Sequence, residues 1–215
     1  MSEIVVFGAG GRAGRQAVAE ALRRGHGVTA VVRDPAKYAE SAHEGARLVA
    51  GDVTDPAGVA AAVAGRDAVI HAAAVYGAGT DPGAFFPGAA RALLAGIRAD
   101  GGTARLVVVG LSSFLTDASG VRLMDAPGFP REFAPFCRAH EAGLTVLAEE
   151  GGDVDWVYAS PAGDFDHGGG RTGRYRVVGH GDADARVSYA DFAVALLDEA
   201  ADAPRHRGTH LAVTG

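Results

Sequence analysis

The sequence predicts an α/β protein: a doubly wound parallel sheet flanked by helices. Three observations carry this expectation. Short apolar runs rich in valine alternate with stretches of helical period along the 215 residues. The first of these runs leads straight into a glycine-rich turn that opens a helix. The irregular insertions cluster after the fifth and sixth strands, on the side where parallel strands end and where such folds place their ligands.

Taken in order, Ile4-Val5-Val6-Phe7 is the first strand and Gly8-Ala9-Gly10-Gly11-Arg12-Ala13-Gly14 the turn. Val18, Ala21 and Leu22 then recur at helical spacing, with Arg15, Glu20, Arg23 and Arg24 on the opposite side. Gly25 and Gly27 end that helix, and Val28–Val32 is the second strand. A third strand, Ala46–Ala50, ends at Gly51-Asp52-Val53, and an Ala-rich helix covers about Pro56–Val63. Asp67–Ile70 is the fourth strand, opening into His71-Ala72-Ala73-Ala74. A helix over about Pro82–Ala99 leads to the fifth strand, Arg105–Gly110. Residues 111–132 are irregular; a helix follows over about Glu132–Glu150, and Val154–Tyr158 is the sixth strand. Gly168-Gly169-Gly170 precedes Arg171–Val178, expected to be a short hairpin or lid strand with the glycines as hinges. A helix from Tyr189 to Ala201 and an edge strand from His210 to Val213 close one domain spanning residues 1–215.

The strand, glycine turn and helix form a Rossmann-type nucleotide-binding unit. Glycines let the backbone bend tightly and come close to a pyrophosphate, and the helix start offers free N–H groups with a partial positive charge. The end of the second strand reports on the cofactor. An acidic side chain there suits the ribose 2′-hydroxyl of NAD, and an arginine suits the 2′-phosphate of NADP. Arg33 comes first after Val31-Val32, and Arg12 in the loop could reach the same phosphate, so NADP (NADPH) is favoured. Asp34, one residue later, leaves NAD open.

Composition narrows the classes. A net charge of −6, with no basic run and no zinc spacing, argues against a nucleic-acid partner. No apolar stretch approaches the ~20 residues of a membrane helix, and Met1-Ser2-Glu3 leads directly into a strand rather than a signal peptide. The single cysteine, Cys137, leaves no internal disulfide. A cytoplasmic protein, monomer or homodimer, acting on a small molecule is expected. Asp164-x-Asp166-His167 is dense in potential ligands but sits in a glycine-rich loop, so solvated loop charge is expected and no metal.

The runs GAGGRAGR, VVRDP, GDVTDP, HAAA, VVVGLSS and DWVYASP resemble the NmrA-like NAD(P)-binding proteins, an atypical branch of the short-chain dehydrogenase/reductase superfamily. The stretch SPAGDF…RTGRYRV…RVSYADFAVALLDE resembles its NADH-flavin reductase subgroup. The resemblance implies a cofactor site lined by Gly8, Gly10, Gly11, Arg12, Ala13, Gly14, Arg33, Asp52, Val53, Ala72, Ala73, Ala74, Ser112 and Pro161. It places Asp52 and Val53 at the adenine, although Asp52 also suits a turn cap. It sets Ala72–Ala74 along the nicotinamide ribose, and Ser112 and Ser113 beside the nicotinamide. His71 is expected to be a strand-end histidine with one satisfied hydrogen bond.

The chain departs from the superfamily in its acid–base pair. The usual Tyr-x-x-x-Lys uses a lysine to lower a tyrosine's pKa so that the phenol acts as general acid. The one lysine among the 20 basic residues is Lys37, and none of the five tyrosines stands four residues before it. Candidate catalytic groups are Ser112, Ser113, His140 and Tyr158. Two chemistries survive this loss. One is hydride transfer from NADPH to a flavin, quinone or other planar acceptor, with the flavin as substrate, which needs mainly stacking and orientation. Phe85, Phe86, Phe114, Phe129, Phe133 and Phe165 could wall such a substrate or simply pack the insertions onto the sheet. The other is a redox sensor without catalysis. A tailoring reductase or epimerase of a specialised pathway is a third reading.

Overall fold

The computed structural model of the protein describes residues 1–39 and 43–215. Ten strands and five α-helices follow one another as β1 (Glu3–Phe7), α1 (Arg12–Arg23), β2 (Gly27–Val32), β3 (Arg47–Ala50), α2 (Pro56–Val63), β4 (Ala68–His71), α3 (Pro82–Ala99), β5 (Arg105–Val109), α4 (Ala134–Glu150), β6 (Trp156–Pro161), β7 (Asp164–Asp166), β8 (Arg176–Val178), β9 (Arg186–Ser188), α5 (Tyr189–Leu197) and β10 (Thr209–Thr214), counted among the described residues. The main sheet has the order β3-β2-β1-β4-β5-β6-β10-β8. From β3 to β10 neighbouring strands run parallel, and β8 pairs antiparallel with β10. The short strands β7 and β9 form a separate parallel ladder.

The strands are apolar on both sides because both faces are covered. Ile4 and Val6 of β1 point into one layer, where α1 and α5 bring Val18, Phe192 and Leu196. Val5 and Phe7 point into the other, with Val59 of α2, Leu93 of α3 and Leu147 of α4. Each such side chain removed from water contributes about 1.5–3 kcal/mol. The chain winds outward from β1 in both directions, so the carboxyl ends of β1 and β4 diverge at a switch point. There Phe7 lies beside His71, and the Phe7 carbonyl accepts from the Ala72 N–H at 2.9 Å. Ligands of open α/β sheets bind in this crevice.

Several boundaries differ from expectation. β10 is not an edge strand, because β8 closes over it through Ala212↔Val178 and Thr214↔Arg176. β6 runs on to Pro161 because β10 continues to pair with it at Ser160↔Ala212 and Pro161↔Val213. Helix α4 starts at Ala134, after a 3-10 turn over Arg131–Phe133, with Pro135 in the first turn where its missing N–H is harmless. The last helix is α-helical to Leu197 and widens into a π turn over Asp198–Asp202. Arg24 Nη1 meets the carboxylates of both terminal residues of that turn at 2.6 Å.

Candidate functional site

The glycine loop is shaped mostly by the chain itself. Gly8 has φ +76, and a Cβ there would stand 2.4 Å from the Ala73 nitrogen. A Cβ on Gly14 would stand 2.2 Å from the Gly8 carbonyl oxygen, and one on Gly10 would meet the Tyr38 ring at 2.2 Å. Gly11 differs: beyond the carbonyl oxygens of Gly8 at 3.3 Å and Ala72 at 4.0 Å the space above it is open. Gly11 is also the N-cap of α1, with no side-chain hydrogen bond to the helix and no acid in the first turn. The helices α2, α3 and α5 are capped by Asp55, Asp81 and Ser188. The N–H groups at the start of α1 therefore keep their partial positive charge beside the open space above Gly11, which fits a pyrophosphate.

At the end of β2 two neighbouring side chains have different tasks. Asp34 is occupied by its own turn: Oδ1 accepts from the Ala36 N–H at 3.2 Å, and Oδ2 lies 3.5 Å from Lys37 Nζ. Arg33 is exposed and, among the described residues, has no hydrogen bond or ion pair. Asp52 caps a turn, accepting from the backbone N–H and hydroxyl of Thr54 at 2.9 and 2.7 Å. Val53 packs into the core against the helical layer and is 4% exposed. Ala72 and Ala73 are half-buried and Ala74 exposed, running past Gly8 at the switch point.

The candidate catalytic groups divide between a turn after β5, which carries the two serines, and a buried aromatic cluster in which His140 of α4 and Tyr158 of β6 pack with Phe86 and Phe114. Ser112 and Ser113 lie in a 3-10 turn after β5; Ser112 is half-buried, and the buried Ser113 Oγ has no hydrogen-bond partner among the described residues. Tyr158 and His140 are 1% and 6% exposed, with Tyr158 Oη 2.5 Å from His140 Nδ1. Burial, reinforced by His71 and His210, lowers His140 to about 3. Burial pushes the Tyr158 phenol well up, with Glu141 adding to it. Both are thus neutral, and one proton lies between them. His71 is lowered to about 4 by burial, and its Nδ1 has no partner among the described residues, so the single satisfied bond expected of it is absent at that nitrogen. His71, His140, Tyr158 and Phe86 line a cavity of about 10 Å³, at the lower limit for one water. Pro161 is buried at the end of β6.

The aromatic side chains divide by exposure. Phe86 and Phe114 belong to the core, at 4% and 8% exposed. Phe85 and Phe129 are half-buried, and Phe165 stacks on Tyr189 at 4.0 Å. Phe133 is exposed at 56%, and Tyr76, which sequence reasoning passed over, at 78%. Tyr76 stands in the loop that continues Ala72–Ala74.

The segment read as a mobile cover is tied down. Arg171 Nε donates to Glu20 Oε2 of α1 at 2.8 Å, and the N–H groups of Thr172 and Gly173 donate to Asp191 Oδ1 of α5 at 2.8 and 2.7 Å. It is a strap, and Gly168–Gly170 do not hinge a free lid. Arg12, expected to reach toward the phosphate of Arg33, extends instead to the turn after β7, with Nη1 2.9 Å from His167 Nδ1. Asp164 and Asp166 serve that turn, accepting from the N–H groups of Phe165 and Gly168. Neither Tyr38 nor His167 carries a local signal: the one is recognisable only through the glycine it covers, the other only through an arginine 155 residues away.

A sequence model of an NAD(P)H-binding family matches residues 8–203 of the chain. The chain is similar to YwnB, an uncharacterised protein of Bacillus subtilis (strain 168), at 35% identity over 218 residues, covering 98% of this chain and 97% of that protein. A solved structure from Streptococcus pneumoniae TIGR4, provisionally named an NADH-flavin reductase, is 30% identical with a TM-score of 0.80, covering 100% of this chain and 99% of that one. A structure from Escherichia coli O157:H7 named as an anaerobilin reductase shares the fold, at 20% identity and a TM-score of 0.77, covering 99% and 97% of the two chains.

Proposed function

The chain belongs to this NAD(P)H-binding family, of the NmrA-like, atypical short-chain dehydrogenase/reductase type, and from that premise we propose that it is a reductase passing hydride from NADPH to a flavin, a quinone or another planar conjugated acceptor. The observation that carries the reading is the condition of the candidate acids. Tyr158 and His140 are buried with one proton held between them, and no Tyr-x-x-x-Lys is present. A simple ketone needs an acid at its oxygen, whereas a conjugated ring spreads the incoming electron pair and can take its proton from water. The 30% identical neighbour provisionally named an NADH-flavin reductase supports this acceptor class.

When bound, the dinucleotide supplies a hydride, so acceptor, NADPH and one proton from solvent become the two-electron-reduced acceptor and NADP. The chain's residues bind and orient. The start of α1, with Gly8, Gly10, Gly11, Ala13 and Gly14, receives the pyrophosphate. Arg33 takes the 2′-phosphate, which Asp34, engaged in its own turn, does not oppose. Asp52 stands at the adenine with the chain at Val53, whose side chain stays in the core, and Ala72–Ala74 with Pro161 line the nicotinamide end. Ser112 offers its hydroxyl to the acceptor; Ser113, Tyr158 and His140 support the floor beneath it. Tyr76, in the loop after Ala72–Ala74, and Phe133, just before α4, expose flat apolar faces that a planar acceptor can stack on.

The test is a titration of the protein with NADPH and NADH, followed by NADPH oxidation in the presence of FMN, riboflavin and a quinone. Tight NADPH binding with turnover of one of these supports the reading. Tight binding without turnover of any of them overturns it and leaves a redox sensor or an enzyme with a narrow substrate of another class.

A further inference from the structure

Arg12 and His167 are the pair that the site so far leaves unused. We propose that they form a clasp on the pyrophosphate of the bound dinucleotide, so that Arg12 serves the pyrophosphate and Arg33 alone serves the 2′-phosphate. The inference rests on the NADPH reading above and deepens it.

Topology places the two arginines apart. Arg33 follows β2, on one side of β1 in the sheet, whereas His167 follows β7, which continues from β6 on the other side. Arg12 is the first residue of α1, at the uncapped helix end between them. Its guanidinium meets His167, Nη1 to Nδ1 at 2.9 Å. In that contact the imidazole nitrogen accepts, which uses one of five guanidinium donors and leaves the rest for an anion. A phosphate oxygen is the stronger acceptor, because its hydrogen bonds to a guanidinium are charge-assisted.

His167 is held in place to receive it. Asp166 Oδ1 accepts from the Gly168 N–H at 3.0 Å and fixes the turn. The His167 ring lies 5.6 Å from that of Tyr189, itself stacked on Phe165. Four residues on, Arg171 is bound to Glu20 of α1. The strap therefore touches α1 in the helix's first and last turns, through His167 at Arg12 and through Arg171 at Glu20. Both clasp residues are exposed, so their replacement leaves the core intact.

The experiment measures the affinity of the full-length protein for NADPH, NADH and ADP-ribose, using reduced-nicotinamide fluorescence and calorimetry, with thermal unfolding as a folding control. Arg12→Gln is expected to weaken all three by about 10–100-fold, the range of one lost charged hydrogen bond. His167→Ala is expected to weaken all three by about 3–10-fold, with His167→Gln intermediate. In each variant the NADPH-to-NADH affinity ratio stays at the wild-type value, whereas Arg33→Ala lowers that ratio and spares NADH and ADP-ribose. The clasp is overturned if Arg12→Gln affects NADPH alone, or if the His167 variants change none of the affinities while the wild type binds. A wild-type protein that binds neither nucleotide overturns the NADPH reading itself.

Discussion

Tyr158 and His140 show how burial decides what a side chain can do. At 2.5 Å, with both groups neutral, they satisfy each other inside the core. Tyr158→Phe strands the His140 ring nitrogen and is expected to lower stability by about 1–3 kcal/mol, read from chemical denaturation. Loss of a true general acid lowers the rate by about 10²–10⁴-fold. Turnover of a flavin or quinone by the folded variant is expected to stay within about tenfold of wild type, and a loss in the larger range would make the phenol the proton donor. Arg33→Ala belongs to the same scale: NADPH affinity falls while NADH affinity holds, because Asp34 is engaged with Ala36 and Lys37 in either case. At this scale the sequence was legible where the constraint is local. Gly14 is a glycine because Gly8 and Ala9, near neighbours in the chain, leave no room, and Gly8 turns at φ +76; the GAGGRAG spacing displays both, although Ala73, which also crowds Gly8, meets it only after folding. Gly10 is fixed by Tyr38 and Arg12 is aimed by His167, contacts that exist only after folding.

Among the elements, the strap between β7 and β8 carries the clearest consequence. Its shape depends on Asp191, which accepts from Thr172 N, Thr172 Oγ1 and Gly173 N at 2.7–2.8 Å while lying only 4% exposed. Asp191→Ala is expected to release the strap. Trypsin should then cleave after Arg171 or Arg174 well before it cleaves the wild type, and stability should fall by about 2–4 kcal/mol. Gly170→Ala is the control: no atom stands within 4 Å of the added Cβ, and its φ is not positive. That variant is expected to keep wild-type turnover and to gain about 0.4–1 kcal/mol through a less flexible unfolded chain. A twofold or larger loss of turnover would restore the hinge. The glycine triplet suggested a hinge because composition registers freedom and not restraint, and Asp191 lies too far along the chain to be read as the anchor. The placement of His210–Val213 at a sheet edge failed in the same way: the run of β10 is visible in its apolar residues, but its cover, β8, is only three residues long, Arg176-Val177-Val178.

For the whole molecule, the buried titratable groups set the pH range of stability. An unfolded imidazole titrates near 6.5, whereas burial lowers His71 and His210 to about 4 and His140 to about 3. Protons then bind the unfolded chain more readily than the folded one, so this contribution is complete above about 6.5 and is lost as pH falls toward 4. Burial alone would raise Glu20, but hydrogen bonds from Arg23, Arg171 and Arg24 outweigh it and hold the carboxyl well below its usual 4.5, so its stabilisation disappears only at pH values below that. Melting temperature is expected to fall in two stages on acidification, the first between pH 6.5 and 4, and His140→Phe should flatten that first stage. The fold was readable at this scale because a Rossmann-type sheet repeats one pattern, an apolar strand followed by a helix, which the seven parallel strands from β3 to β10 obey and the antiparallel β8 does not. The reaction was less readable, since no run of residues names the acceptor. The most direct measurement of the central claim is therefore NADPH oxidation by the purified protein with FMN, riboflavin and a quinone, alongside NADPH and NADH binding. The account expects tighter binding of NADPH than of NADH and turnover with at least one planar acceptor. Equal binding of the two nucleotides, or binding of NADPH with no turnover of any acceptor, would contradict it.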